Sequence, residues 1–504
     1  MTPPLFSKVL IANRGEIACR VIRACRARGI RTVAVYSEAD RGALHVRMAD
    51  EAWCIGPPPS RESYLRGDKI LAVAKRAGAE AIHPGYGFLS ENAGFRRECE
   101  AAGVVFIGPP PEAMELMGEK TLARQTMIAA GVPVVPGTAK PITDLDELAR
   151  VSAEVGFPVM LKAAAGGGGK GMRVVADPAQ LVAAFEGAQR EARSSFGSDA
   201  VYVEKAIVGP RHIEVQVVSD RHGHTVYVGD RECSVQRRHQ KVVEESPAPN
   251  LSPETRRQMG EMAVQAARAV GYEGAGTVEC LVDQAENFYF LEMNTRLQVE
   301  HCATEEAFGV DLVDAQLLVA AGHPLPFTQD EMVARRHAIE VRLYAEDPYE
   351  NDRPSPGVLT AYRTPQGPGV RVDDGVEAGS EVSSLYDPML AKLIVSARTR
   401  DAAIERCLAA LREYVVEGIH TNLPQLRHIL QSAPFRAGRY TTGLLTEIPR
   451  VTPPDVDEET EDLARVLAAL GAMAQAPTRV EAGAAAEWSP WALEGLRRQL
   501  GGGL

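Results

Sequence analysis

The sequence is poor in lysine, with ten lysines against forty-five arginines. Its eight cysteines include no C-x-x-C pair, which argues against a structural zinc site and against a disulfide framework. No apolar run approaches the roughly 20 residues that cross a bilayer, and a predicted strand follows the first few residues without the charged and apolar regions of a signal peptide. We therefore expect a cytoplasmic protein with reduced thiols and no membrane partner.

Positive charge is also in deficit, because the formal net charge is −12. This balance argues against a general nucleic-acid partner or an anionic membrane surface. A hydrophobic content of 45% and a charged content of 24% are typical of a globular enzyme. A chain of 504 residues exceeds a single hydrophobic core, so we expect two to four domains.

A predicted hairpin carries the densest group of charged side chains. Residues 276–282 and 288–292 have strand character on either side of the turn 283–287. If the turn centres near Ala285, we expect Glu279 to face Glu292 across the pair. Two opposed carboxylates repel each other unless a cation compensates them, and oxygen ligands on a rigid hairpin suit Mg2+. We predict a metal site here, although a solvated sheet face explains any one of these charges equally well.

Polar residues keep alternating after this hairpin. If its second strand continues to Glu300, the period of two places four further side chains on the face of Glu292: Asn294, Arg296, Gln298 and Glu300. So strict an alternation favours a binding site over a solvated face.

The N-terminal segment 8–36 predicts a strand, a helix and a second strand. Its first turn lacks the three glycines of a dinucleotide-binding site, so we favour a structural role for it. Further on, Gly85 and Gly87 surround Tyr86 after a predicted parallel strand that ends at His83. Open α/β sheets bind ligands at this end of their strands, so His83 and Tyr86 are candidate site residues, and a plain turn with a packed tyrosine is equally consistent.

A glycine run from Gly166 to Gly171 lies between two predicted strands. It is not a P-loop, because no Gly-Lys-Ser/Thr closes it and no helix follows. Backbone N–H groups in such a run can fold over phosphate oxygens as a mobile lid, with Lys162 on the strand beneath as a point charge. A flexible linker is the alternative, although linkers usually contain serine and lack flanking strands.

A basic cluster of Arg237, Arg238, His239 and Lys241 stands out in the acidic chain. It fits an anionic ligand, and taken alone it fits a solvated loop as well.

Four motifs read together resemble the biotin carboxylase family of ATP-grasp ligases. They are residues 83–92 (HPGYGFLSEN), the glycine run 166–171, residues 236–241 (QRRHQK) and residues 292–300 (EMNTRLQVE). The similarity spans about residues 5–448. It implies an α/β fold with a Rossmann-like N-terminal (pre-ATP-grasp) domain at 1–115, an α+β ATP-grasp domain at 116–330 with its lid at about 135–204, a C-terminal biotin carboxylase domain at 331–450 and a tail at 451–504.

The resemblance implies that MgATP phosphorylates bicarbonate to carboxyphosphate, which gives its CO2 to N1 of biotin. The cofactors would be ATP and Mg2+ or Mn2+, with two ions, and biotin would be a carrier-bound substrate. Metal ligands would be Glu279, Glu292 and Asn294. ATP contacts would come from Lys120, Lys162, Gly167, Gly168, Gly169, Glu204, Lys205, His212, Gln236, His239, Glu279 and Glu292.

The same resemblance implies a bicarbonate pocket of Glu214, Lys241, Arg296, Gln298, Val299 and Glu300. Among these, Glu300 would be the general base, with Lys241 and Arg296 as catalytic partners. Arg342 would stabilise the biotin enolate and Tyr86 would lie beside biotin. The sequence departs from the family at Ala164 and Ala165, where Ser and Gly are common, and at Cys302, where Pro is usual.

No lysine has a methionine neighbour, whereas the biotinylated lysine of carrier domains lies between two methionines. We therefore expect two partners, a separate biotin carboxyl carrier protein and a carboxyltransferase subunit, in a homodimer or larger complex. Residues 386–392 resemble the α-subunits of acyl-CoA carboxylases, which favours an acetyl-CoA or propionyl-CoA type enzyme. The alternatives are a subunit of a two-chain pyruvate carboxylase and a non-catalytic nucleotide-binding subunit. Trp488 and Trp491 in the tail suggest partner docking or packing against the body.

Overall fold

The computed structural model describes residues 5–453 except 139, 143, 164–171, 197–199 and 239, and beyond them only 462, 466 and 467. The chain divides into two units, Met1–Val451 and Thr452–Leu504. Almost all of the second unit lies outside the described residues, and so do Trp488 and Trp491. The docking role of the tail stays a prediction.

A parallel sheet of five strands forms the N-terminal part of the first unit. Its spatial order is Glu51–Gly56, Arg31–Ser37, Lys8–Ile11, Ala81–His83 and Val105–Phe106. The helices of this part are Gly15–Ala27, Leu44–Met48, Gly67–Ala77 and Ala93–Ala101. The predicted strand–helix–strand start and the predicted strand at 81–83 are confirmed.

A smaller antiparallel sheet holds the strands on either side of the glycine run. Val159–Ala163 lies between Met172–Val175 and Val201–Lys205, with the helices Leu145–Val155 and Leu181–Phe196 in the same segment. The flanking strands were therefore predicted correctly. The glycine run itself, with Gly167, Gly168 and Gly169, lies outside the described residues.

The largest sheet has eight antiparallel strands. Their spatial order is Phe288–Asn294, Gly274–Val282, Arg211–Ser219, Thr225–Arg237, Gln240–Ser246, His337–Tyr344, Met389–Ala397 and Val370–Asp374. One face of this sheet is apolar, because Ile213, Val215 and Val217 alternate with polar residues along their strand and join a core with residues of helix Pro253–Ala269. The opposite face is left to the polar residues and carries the site.

The other described elements are helices, short turns and two-stranded ribbons. The helices are Pro111–Gly118, Lys120–Ala129, His301–Phe308, Leu312–Ala320, Arg400–Glu413, Leu423–Gln431, Ala433–Arg436 and Leu444–Glu447, and the short 3-10 turns are Glu38–Asp40, Ser60–Glu62, Pro178–Gln180 and Gln329–Glu331. The ribbons pair Glu346–Asp347 with Arg353–Pro354, Gly357–Val358 with Glu381–Val382, and Ala361–Arg363 with Val415–Glu417. The mixed α/β class is the one expected. Among the described helices, none has the length and apolar character of a membrane span.

The predicted hairpin is present, with Glu279 paired to Glu292. Its second strand ends at Asn294, however, so the continuation to Glu300 is wrong. The Thr295 N–H donates to the Glu91 carboxylate at 3.1 Å instead of to a neighbouring strand, and the chain turns into the helix that begins at His301.

Candidate active site

A row of charged side chains crosses one face of the large sheet. The strand registers place Glu292 opposite Glu279, Glu279 opposite Glu214, and Glu214 opposite Arg231. Directly paired residues project on the same side of a sheet, so these four side chains from four adjacent strands lie next to one another. The row brings three carboxylates together, and their mutual repulsion has to be compensated by cations.

Lys241 is the cation at the centre of this face. Its ammonium donates to Glu214 Oε2 at 2.6 Å, to Glu279 Oε1 at 3.1 Å and to Glu300 Oε1 at 2.5 Å. Burial would lower the pKa of Lys241, but the three carboxylates raise it well above its usual range. All three ammonium protons are thus engaged, and Lys241 holds its charge and its position.

Glu300 is fixed from a second side by Arg342. The guanidinium of Arg342 donates to Glu300 Oε2 at 2.8 Å and to Glu244 Oε1 at 2.6 Å. Burial would raise the pKa of Glu300, but the neighbouring Lys241 and Arg342 lower it well below its usual range. Glu300 precedes the helix that begins at His301, where the helix dipole also favours a negative charge. Its carboxylate is therefore ionised at neutral pH.

Arg231 lies beneath this pair and was missed by the sequence analysis. It is fully buried, and its guanidinium donates to five acceptors: Glu214 Oε1 at 2.6 Å, Gln216 Oε1 at 2.9 Å, Thr304 Oγ1 at 2.8 Å, Thr277 Oγ1 at 3.2 Å and Gln298 Oε1 at 2.8 Å. Through Glu214 and Gln298 it fixes both the floor and one wall of the site.

Hydrogen bonds hold Glu279 at Oε1, and an ion-pair contact with His212 holds it at Oε2. Asn294 Nδ2 and Gln298 Nε2 donate to Oε1 at 2.9 and 2.7 Å, and His212 Nε2 lies 2.9 Å from Oε2. Burial would lower the pKa of His212, but Glu279 outweighs it and raises that pKa. The Glu279 carboxylate is thereby aimed along the face toward Glu292.

The Glu292 carboxylate is different, because no described residue donates a hydrogen bond to it or forms an ion pair with it within 4 Å. Its pKa is raised by partial loss of water and by the facing Glu279 carboxylate. A carboxylate and an amide oxygen beside a second, unpaired carboxylate are the donors that a divalent cation such as Mg2+ takes in proteins. Glu279, Glu292 and Asn294 thus fit the predicted metal.

A cleft of about 1460 Å³ opens over this face. It is lined by sixteen of the residues that the sequence analysis selected: Lys120, Lys162, Glu204, His212, Gln236, Arg237, Arg238, Lys241, Glu279, Glu292, Asn294, Arg296, Gln298, Val299, Glu300 and Arg342. Apolar side chains missed by that analysis line it too, among them Leu281, Ile429, Leu445 and Ile448. The cleft therefore offers both charged and apolar walls.

Two lining residues show how the charged walls are held. Lys162 Nζ donates to the Glu204 carboxylate. Arg296 donates to Glu91 Oε2 at 3.0 Å and to Asn294 Oδ1 at 2.7 Å, so its guanidinium lies across the turn that follows the hairpin. Each of these two cations is thus held at the cleft by a carboxylate, Lys162 by Glu204 and Arg296 by Glu91.

Four predicted site residues do not line the cleft, and the first of them, His83, is fully buried and accepts a hydrogen bond on Nδ1 from the Gly85 N–H at 3.0 Å. Glu214 is fully buried below Lys241. The Lys205 ammonium donates to the carbonyl oxygens of Gly156 and Phe157 at 2.8 and 3.0 Å, and the Tyr86 hydroxyl donates to Glu16. His239 lies outside the described residues. The assignments of Lys205, His239 and Tyr86 to ligand contacts stay predictions.

Cys302 is held in a charged interior next to the site. Its thiol donates to Asp373 Oδ2 at 3.2 Å and accepts from Lys392 Nζ at 3.3 Å and from Arg371 at 3.4 Å. Burial raises the pKa of the Cys302 thiol well above its usual range. With two cations against the sulfur, the neighbouring donors His301 and Glu305 do not form a cation site with it.

Comparison with known proteins covers almost the whole first unit. Family models match for the biotin carboxylase N-terminal domain at residues 5–114, the ATP-binding domain of the carbamoyl-phosphate synthase L chain at 119–328 and the biotin carboxylase C-terminal domain at 340–447.

Individual proteins match over long stretches. A biotin carboxylase of Halalkalibacterium halodurans is 54% identical over 442 residues, which are 88% of this chain and 98% of that protein. A pyruvate carboxylase subunit of Methanothermobacter thermautotrophicus is 52% identical over 446 residues, 88% of this chain and 91% of that protein. The solved biotin carboxylase domain dimer of Hydrogenobacter thermophilus 2-oxoglutarate carboxylase, in complex with MgADP, ADP and bicarbonate, is 46% identical with a TM-score of 0.82 and covers 90% of this chain and all of that one.

Proposed function

The chain belongs to the biotin carboxylase family of ATP-grasp ligases, and we infer that it uses ATP and bicarbonate to carboxylate biotin. The observation that carries this inference is the Glu300 carboxylate, held between Lys241 and Arg342 at the wall of the cleft. An ionised carboxylate fixed at the wall of the cleft can take the proton of bicarbonate as a general base, and the cations beside it attract that anion. The enzyme is therefore an ATP-dependent ligase that forms a C–N bond on biotin.

Bicarbonate binds next to Glu300. Arg296 and Gln298 supply donors from the turn after the hairpin, and Val299 completes that wall of the cleft. Lys241 lies on the other side, held by Glu214 below. Glu300 takes the bicarbonate proton, which leaves the oxyanion free to attack the terminal phosphorus of ATP. The bond from that phosphorus to the bridging oxygen breaks, so that carboxyphosphate forms and ADP leaves. Positioning and charge neutralisation dominate such phosphoryl transfers.

The nucleotide occupies the rest of the cleft. Its base lies against the apolar wall of Leu281, Ile429, Leu445 and Ile448, and Lys120 and Lys162 reach toward its phosphates. Gln236 and His212 lie next to each other in the lining of the cleft, with Gln236 Nε2 3.4 Å from His212 Nδ1. Glu279, Glu292 and Asn294 would hold Mg2+ or Mn2+, which when bound neutralises charge on the phosphates. The glycine run 166–171 would cover them.

Biotin enters on the side of Arg342. Carboxyphosphate breaks down to CO2 and phosphate, the phosphate takes the proton of biotin N1, and N1 then attacks the CO2. The fixed guanidinium stabilises the negative charge that develops on the ureido oxygen in this step. Tyr86 would lie beside biotin, with its ring set by the hydrogen bond from its hydroxyl to Glu16 and by the Asn13 side chain, which donates to the Tyr86 carbonyl oxygen at 2.7 Å.

The chain acts as part of a carboxylase complex. Because its 504 residues contain no lysine between two methionines, the carrier that presents biotin lies outside them, and a carboxyltransferase partner completes the overall reaction. A homodimer is the assembly we propose, since the Hydrogenobacter thermophilus domain is a dimer. Cytoplasmic location and the domain limits inferred from the sequence stay predictions.

The most specific part of the proposal is the molecule that finally accepts the carboxyl group from biotin. Residues 386–392 favour an acetyl-CoA or propionyl-CoA type carboxylase, whereas a relative that is 52% identical belongs to a pyruvate carboxylase. The second candidate is therefore the corresponding subunit of a two-chain pyruvate carboxylase. Both assign the same half-reaction to this chain.

The half-reaction predicts ATP turnover that requires bicarbonate and that biotin stimulates. In the presence of Mg2+, we expect slow bicarbonate-dependent ADP release that free biotin stimulates and that stops when bicarbonate is removed. ADP release indifferent to biotin would indicate another ATP-grasp ligase. No release under any condition would overturn the proposal and indicate a non-catalytic nucleotide-binding subunit.

A further inference from the structure

Two buried glutamates face each other behind Arg342. Glu244 is paired directly with Glu340 in the strand register, so their side chains project on the same face. Both are fully buried. Arg342 donates to Glu244 Oε1 at 2.6 Å, but Glu244 Oε2 and both oxygens of Glu340 have no hydrogen-bond donor among the described residues. Three acceptor atoms without a donor thus belong to two directly paired, buried residues on one face of the sheet.

No cation is available to satisfy them. Lys392 lies on the next strand, directly opposite Arg342, but its ammonium donates to the Val299 carbonyl oxygen at 2.8 Å and to Cys302 Sγ at 3.3 Å, and it lies 3.3 Å from Glu16 Oε2. Within the part of the chain that the structure describes, no ion pair reaches Glu340. Its remaining charged and titratable neighbours are Glu244, Arg342, Glu300 and Cys302.

A single proton resolves this arrangement. A protonated carboxyl group has one O–H donor, whereas two carboxylates are acceptors only. Leaving both ionised would place two like charges side by side without water, which is the condition under which paired carboxylates share one proton. We propose that Glu244 and Glu340 hold one proton between them, so that Glu340 is a neutral carboxylic acid that donates to Glu244 and keeps Arg342 oriented toward Glu300.

The electrostatics of the pair agree with this. Burial raises the pKa of Glu340 well above its usual range, and repulsion by Glu244 adds to it while Lys392 opposes it. Burial raises the pKa of Glu244 to about 7, against the lowering effect of Arg342. Glu340 is thus a positioning residue, which acts on the reaction through Glu244 and Arg342. Its importance for catalysis rests on the proposed function, whereas the shared proton does not.

The shared proton makes stability depend on pH in a definite direction. The folded state keeps the Glu340 proton above the pKa of an unfolded glutamate, about 4.3, while the unfolded chain releases it. The stabilisation is therefore complete below that pH and is lost as the pH rises toward the higher folded-state pKa. Glu340→Gln preserves shape and a donor but has no proton to lose, so its Tm should rise relative to wild type as the pH increases from 5 to 9.

Glu305→Gln is the matched control. Glu305 is also buried, but it is paired with Arg20 and Arg371, which lower its pKa to about 2 against the effect of burial. This variant should be less stable than wild type at neutral pH, with a deficit that shrinks toward acid. A Glu340→Gln variant that behaves like Glu305→Gln would mean that Glu340 is ionised, and would overturn the proposal.

Infrared difference spectroscopy tests the proton itself. The wild-type minus Glu340→Gln spectrum at neutral pH should contain the carbonyl band of a protonated carboxyl group, shifted in D2O, and the Glu305→Gln difference spectrum should not. Absence of the band would contradict a shared proton.

Biotin-stimulated ADP release gives the separate functional readout. Glu340→Gln should keep this release near wild type, and Glu340→Leu should lower it about tenfold, since Leu leaves Glu244 without a donor. A wild type that lacks this activity but shows the band would refute the proposed function alone.

Discussion

Replacing Glu300 by glutamine is expected to lower biotin- and bicarbonate-dependent ADP release by about 10²–10⁴-fold, the range for loss of a general base. Glutamine keeps the shape of the side chain but cannot accept the bicarbonate proton. In the wild-type protein Lys241 and Arg342 contact the two carboxylate oxygens of Glu300, and in the variant one of them would face an amide nitrogen instead. ADP release at saturating MgATP, bicarbonate and biotin measures the loss, and circular dichroism and the Tm report whether the fold is kept.

Glu306→Gln is the control for this variant. Glu306 belongs to the helix that follows Glu300 and contacts Ser396 and Arg371, and it does not line the cleft. Its turnover should stay close to wild type. If Glu300→Gln retained turnover similar to that of Glu306→Gln, Glu300 would not be the base, and the role assigned to its position between two cations would be wrong.

Replacing Arg231 by methionine is expected to lower the free energy of unfolding by about 3–5 kcal/mol, the usual result of removing one partner of a buried ion pair. The fully buried guanidinium satisfies Glu214 and four neutral oxygens. Methionine fills similar space but leaves Glu214 Oε1 and those four oxygens without this donor, while Lys241 still donates to Glu214 Oε2. Since small domains are stable by only about 5–15 kcal/mol, the loss is large.

Urea or guanidinium denaturation monitored by fluorescence measures this change. Arg257→Met is the control, because Arg257 is an exposed residue of helix Pro253–Ala269 that pairs with Glu254 and Glu261. This control should unfold close to wild type. An Arg231→Met variant as stable as Arg257→Met would show that the five hydrogen bonds contribute little, and the structural role of Arg231 would fall. We also expect Arg231→Met to have lower turnover than wild type, since Arg231 holds Gln298 directly and holds Lys241 through Glu214.

The hairpin with Glu279 and Glu292 was predictable because its pairing is local. The predicted turn is present and Val282 pairs with Phe288, but Glu279 pairs with Glu292 instead of Leu291 because a β-bulge between Glu279 and Cys280 shifts the register by one residue, which the turn alone does not predict. The period of two failed beyond Asn294 for a long-range reason, because Glu91, about two hundred residues earlier, takes the Thr295 N–H. Arg296, Gln298 and Glu300 still converge on the cleft, but through a turn and a helix start instead of a strand.

Arg231 was not predictable from parity. Its strand is irregular between Tyr227 and Asp230, where the register to the neighbouring strand shifts, so counting along the sequence does not show that Arg231 faces Glu214. The Glu244–Glu340 pair was hidden for a related reason, since its two strands are separated by almost a hundred residues. Only the sheet order brings such residues together, and that order is set by packing across the whole unit.

Transfer of labelled bicarbonate to free biotin tests the central claim most directly. With MgATP and free biotin, the wild-type protein should form acid-labile labelled carboxybiotin, with ADP released in equal amount once the biotin-independent rate is subtracted. Omission of ATP should abolish the label. ADP release without any label on biotin, at biotin concentrations that saturate any stimulation, would contradict the assignment of this chain as the catalyst of biotin carboxylation.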